Sequence, residues 1–144
     1  MNIEILTEKL ATRKKINEKM IEELNELFNP IIELLKEHQF IYTDTISEEE
    51  IEIKNYMHSS NYGSWGWEII INGNMLPSKY ENIDNSGYWC GNFNYEYSYM
   101  SRREIRFLAE NAEKIIKSII EKIENINQKS EEALNKIPKI NIIK

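Results

Sequence analysis

The amino-acid sequence predicts one α+β domain over residues 1–144: an N-terminal helical arm kinked at Pro30, a small antiparallel sheet, and a long C-terminal helix packed on that sheet. Three observations predict it. Apolar residues recur at three- and four-residue spacing near both ends of the chain, which is helical periodicity. The middle third alternates every second residue and is rich in aromatics, Asn and Gly, which is strand and turn composition. With 144 residues, 41% of them hydrophobic, the chain can bury a core without disulfides or a structural metal.

In the first helix Ile16, Met20, Leu24, Leu27, Phe28, Ile31 and Leu35 share one face while the glutamates point elsewhere. Pro30 has no N–H and pushes Asn29 away from helical geometry, so two segments are expected, about 5–28 and 30–38, with Asn29 capping the second. His38 then stands where a basic side chain complements the helix dipole.

Residues 46–57 admit two readings. Ser47 and Glu50 have capping-box spacing, whereas Ile51, Ile53 and Met57 line one face of a strand, and the strand is favoured. Trp65, Trp67, Ile69 and Ile71 alternate with Gly66, Glu68 and Ile70, and Asn72-Gly73 tolerates the positive φ of a tight hairpin turn. Phe93, Tyr95, Tyr97 and Tyr99 alternate in the same way, so the sheet is expected over about 46–99 with three to five strands. Met75 to Gly91 reads as a long loop.

Ser101-Arg102-Arg103-Glu104 is a capping box that opens the last helix. Ile105, Leu108, Ala112, Ile115, Ile119, Ile123 and Ile126 form its stripe and Pro138 bars continuation, which sets the helix at about 102–128 and up to 136. At 1.5 Å per residue it spans roughly 40–50 Å, more than one small sheet covers. Self-association into a homo-oligomer is therefore expected.

Composition narrows the function. Cys90 is the single cysteine, so no internal disulfide forms. No apolar run approaches the roughly 20 residues of a membrane span, and Met1-Asn2-Ile3-Glu4 does not begin a signal peptide; a cytoplasmic protein without membrane contact is expected. Residues 1–60 carry thirteen acidic and seven basic side chains, which accounts for the whole net charge of −6. That charge disfavours bulk nucleic-acid binding.

Catalytic and metal constellations are sparse, and neither a catalytic residue, a metal nor a cofactor is assigned. Cysteine catalysis would need Cys90 with His58 and Asp84 or Asn85, around which no local signature stands. His38 and His58 make no metal-ligand pair. Asp44 followed by Glu52-Ile53-Lys54 resembles the D…E-x-K signature of restriction-type nucleases, over about ten residues. The resemblance implies Mg²⁺-dependent hydrolysis by Asp44, Glu52 and Lys54, and it is kept as the enzymatic alternative.

The favoured reading is a non-enzymatic binding or inhibitor protein acting stoichiometrically, a class that includes anti-defence proteins of phages and mobile elements. Two surfaces fit it. Arg102, Arg103 and Arg106 at a helix start, with flat faces from Trp65, Trp67, Tyr88, Trp89 and Tyr95, suit a small anionic nucleotide-like ligand. Glu18, Glu22, Glu23, Glu26, Glu48 and Glu49 suit the basic surface of a host protein. The sequence leaves both open.

Overall fold

The computed structural model describes residues 2–57, 65–76 and 100–140. The chain divides into two compact units, residues 1–111 and 112–144. The first unit contains helix α1 (Ile3–Glu37), strands β1 (Tyr42–Ile46), β2 (Glu49–Met57), β3 (Trp65–Ile71) and β4 (Asn74–Met75), and the start of helix α2 (Arg102–Asn135). The four strands form one antiparallel sheet in the order β1-β2-β3-β4, which places the molecule in the α+β class.

Helix α1 is continuous over 35 residues with Pro30 inside it, so the expected division into two segments does not occur. The reason is local. Pro30 removes only the hydrogen bond to the Glu26 carbonyl, and Glu26, Asn29 and Pro30 are all exposed, so water can satisfy the orphan acceptor. Asn2 caps the first turn by accepting from the Ile5 N–H at 3.3 Å. At the other end His38 is the C-cap and Gln39 takes φ 51°. The Phe40 N–H reaches the Leu35 carbonyl at 2.8 Å and the Gln39 N–H reaches the Lys36 carbonyl at 3.0 Å, which is the Schellman pattern built without glycine.

Residues 46–57, ambiguous in sequence, are strand: β1 and β2 form a hairpin whose turn residues Ser47 and Glu48 take φ 48° and 73°. Strand β1 begins at Tyr42, four residues before the expected edge of the sheet. The Asn72-Gly73 turn, with φ 49° and 83°, joins β3 to β4 as its composition required. The run 93–99 and most of the 75–91 stretch lie outside the described residues.

Register separates two sheet faces. Tyr42, Ile46, Ile51, Ile53, Ile69 and Ile71 share one face and are buried, against which Leu24, Phe28, Ile32 and Leu35 of α1 complete the core, α1 packing on β3. Glu49 and Asn74 lie on this same face, opposite Ile46 and Ile71, and both reach the first turn of α2. Ile105 and Leu108 bury the start of α2. In the second unit Ile115 and Ile119 are buried, and every described residue from Glu124 onward is exposed.

Two outcomes are expected. Gln39→Gly and Glu48→Gly should each raise stability by about 0.5–1 kcal/mol, because the left-handed backbone strain is relieved by more than the added chain entropy costs. Ile53→Ala should lower it by about 2–5 kcal/mol through the cavity it leaves; urea denaturation measures both.

Candidate functional site

The capping box predicted at Ser101 forms in full. The Ser101 N–H donates to Glu104 Oε1 at 2.9 Å, and the Glu104 N–H donates to Ser101 Oγ at 3.2 Å. The same carboxylate also accepts from Asn74 Nδ2, at 3.2 Å to each oxygen. The Met100 N–H bonds the Met75 carbonyl at 3.3 Å. Strand β4 therefore fixes where α2 begins and which way its first side chains point.

Because Arg102 and Arg106 are four residues apart, they leave one face of α2 together. They line a cleft of about 310 Å³ with Lys9 and Arg13, which are again four apart, on α1. Ile16, Met20, Asn17 and Thr12 complete its lining. The Thr12 hydroxyl bonds back to the Glu8 carbonyl at 3.0 Å, so one of its polar functions is already used. Four cations thus share one concavity whose described lining includes no carboxylate, and none of them forms an ion pair with a described residue. Arg102 Nη1 is buried without a hydrogen-bond partner among the described residues. Lys9, Arg13 and Arg106 are exposed, so water screens their mutual repulsion, whereas the buried donor left unmade at Arg102 costs about 1–3 kcal/mol that an anion in the cleft would offset.

Only part of the expected ligand site converges here. Arg103 turns to the sheet, where its Nη2 lies 3.6 Å from Glu49 Oε1. Trp67 is half-buried in β3 and does not line the cleft. Nothing is described of the Trp65 side chain, and Tyr88, Trp89 and Tyr95 lie outside the described residues, as do His58 and Cys90. The α2 N-terminus is also not an open anion site by itself, since Glu104 already occupies it. The anion-attracting groups are the guanidinium and ammonium side chains.

Lys9, Arg13 and Asn17 were not legible as site residues. Their signal lay in a broken pattern: Ile3, Leu6, Leu10, Met20 and Leu24 keep one helical stripe, and Arg13 and Asn17 stand in two successive positions of it. Polar residues at consecutive stripe positions mark a face turned to something other than core.

The acidic residues divide in two. Glu18, Glu22, Glu23 and Glu26 are exposed on α1 and, together with Lys15 and Lys19, line a shallow concavity of about 340 Å³. Glu48 is exposed in the β1–β2 turn, while Glu49 is held by Asn72 Nδ2 and Arg103. The nuclease-like trio does not assemble. Glu52 and Lys54 form an ion pair of 2.6 Å on one sheet face, and Asp44, opposite Ile51, lies on the other, with its carboxylate accepting from the Thr45 N–H at 2.8 Å. Among the described residues no group of three or more His, Cys, Asp or Glu side chains is placed to hold a metal ion, and no helix is long and apolar enough to cross a membrane.

No protein-family model matches the chain, no curated protein matches it, and no solved structure matches its fold.

Glu104→Ala should cost about 1–2 kcal/mol in urea denaturation, since it removes the cap and frees Asn74, whereas Glu104→Gln should recover part of that loss by accepting from the Ser101 N–H.

Proposed function

We propose that this protein is a non-enzymatic binder that captures a small phosphate-bearing anion, of the nucleotide type, stoichiometrically in the cleft of Lys9, Arg13, Arg102 and Arg106. The observation that carries the reading is the buried Arg102 Nη1, without a partner among the described residues, in a four-cation cleft whose described lining includes no carboxylate. Guanidinium forks match phosphate oxygens in pairs, and two arginines plus a lysine and a further arginine offset more than one negative charge. Capture is favoured over turnover because the described lining offers cations, an amide, apolar groups and the Thr12 hydroxyl, which already donates to the Glu8 carbonyl, with no carboxylate, imidazole or thiol to activate it. The net charge of −6 repels polyanions at long range, so a compact ligand suits the cleft better than a nucleic-acid strand. Removing a nucleotide-type signal from a host system is a role this chemistry serves.

The competing reading, in which α1 docks on a basic protein, is favoured by the exposed Glu18, Glu22, Glu23 and Glu26. Titration calorimetry with adenosine and uridine 5′-monophosphate separates the two. Arg102→Ala and Arg106→Ala should each weaken binding about tenfold or more, the worth of one charge-assisted contact. Reversing Glu22, Glu23 and Glu26 to Lys should leave it intact or strengthen it slightly. Undiminished binding by both arginine variants would sink the cleft as the site.

A further inference from the structure

Two buried polar atoms in the cleft have opposite needs. Among the described residues Arg102 Nη1 is a donor without an acceptor, and Asn17 Oδ1 is an acceptor without a donor. Both residues line the same 310 Å³ space. The dianion of a simple phosphate ester answers only the first need, because its free oxygens are acceptors alone.

From this pair we infer that the cleft selects a phosphate ester whose organic part carries an N–H or O–H donor, with the phosphate on the arginines and the donor on Asn17 Oδ1. The inference rests on the anion-capture reading and adds a selectivity rule to it. Ile16 and Met20 supply apolar wall beside these groups, which suits a sugar face or a base more than a second phosphate. At about 310 Å³ the cleft lies at the low end of the roughly 300–1,000 Å³ of small-molecule sites, which suits contact with a group of mononucleotide size. Arg13 stands one helical turn before Asn17 on α1, and Arg106 one turn after Arg102 on α2, so each helix offers a cation beside its unsatisfied atom.

The experiment compares methyl phosphate, which has the charge but no donor when ionised, with uridine and adenosine 5′-monophosphate, by calorimetry on the full chain. Wild-type protein should bind the nucleoside monophosphates about tenfold more tightly than methyl phosphate. Asn17→Leu restores an apolar residue to the α1 stripe, so it should fold. It should bring the nucleotide affinities down several-fold, so that their preference over methyl phosphate narrows. Asn17→Asp keeps the acceptor and adds a negative charge, so it should weaken every probe yet preserve the preference; thermal unfolding confirms that both variants are folded. Equal wild-type affinity for methyl phosphate and the nucleotides would overturn the selectivity rule and leave anion capture standing. An undiminished preference in folded Asn17→Leu would overturn the assignment of the donor to Asn17. Parallel loss of all probes in Asn17→Leu would also overturn it, since the amide would then be serving the phosphate. No binding of any probe by wild-type protein would defeat both this inference and the capture reading.

Discussion

The position of the candidate site depends on one carboxylate. Glu104 closes the first turn of α2 by accepting from the Ser101 N–H at Oε1 and, with both of its oxygens, holds Asn74 of β4. A capping box alone would start the helix without saying where in space it starts. By sharing its acceptor capacity with the sheet, Glu104 converts a local helix signal into a tertiary anchor, and the directions of Arg102, Arg103 and Arg106 follow from it. The Glu49–Arg103 pair then draws off one of the three cations towards the sheet. This leaves Arg102 and Arg106 to meet α1.

Charge is sorted at the scale of single helix faces. The chain is acidic overall, yet the cleft gathers four cations from two segments separated by more than eighty residues of sequence. Nearby on α1, lysines interleave with glutamates at three- and four-residue spacing, where exposed pairs each contribute a few tenths of a kcal/mol. In the cleft no such relief is present among the described lining. Lys9, Arg13 and Arg106 are exposed and solvated, so burial gives weight only to Arg102 Nη1, because an unpaired donor costs little in water and more once water is excluded. Net charge therefore averages over helix faces of opposite sign, and what it sets is the long-range repulsion of polyanions.

The elements with local causes were legible in the sequence. Ser101 and Glu104 announced a helix start three residues apart, and the isoleucine stripe carried α2 through the expected 102–136 span; Asn72-Gly73 announced a turn. Two features resisted local reading. Pro30 predicts a break, and the helix runs through it because the freed carbonyl faces solvent, which is a property of packing. Ser47-Glu48 carries none of the usual hairpin-turn residues, and strand pairing over five residues holds the left-handed backbone there. In both places tertiary context outweighed residue preference.

For the candidate site the division is sharper. The sequence by itself determined which residues could attract an anion, since charge and hydrogen-bonding capacity belong to side chains and Arg102 and Arg106 must share a helix face. It could not determine their company. Arg103 differs from its neighbours only by 100° of helical rotation, and that angle, set by the anchor at Glu104, sends it to Glu49. Asp44 looks like a partner for Glu52 and Lys54 until strand register places it on the opposite face of the sheet. Lys9, Arg13 and Asn17 join the cleft because α1 and the start of α2 meet, a long-range contact between segments that no spacing within either one encodes.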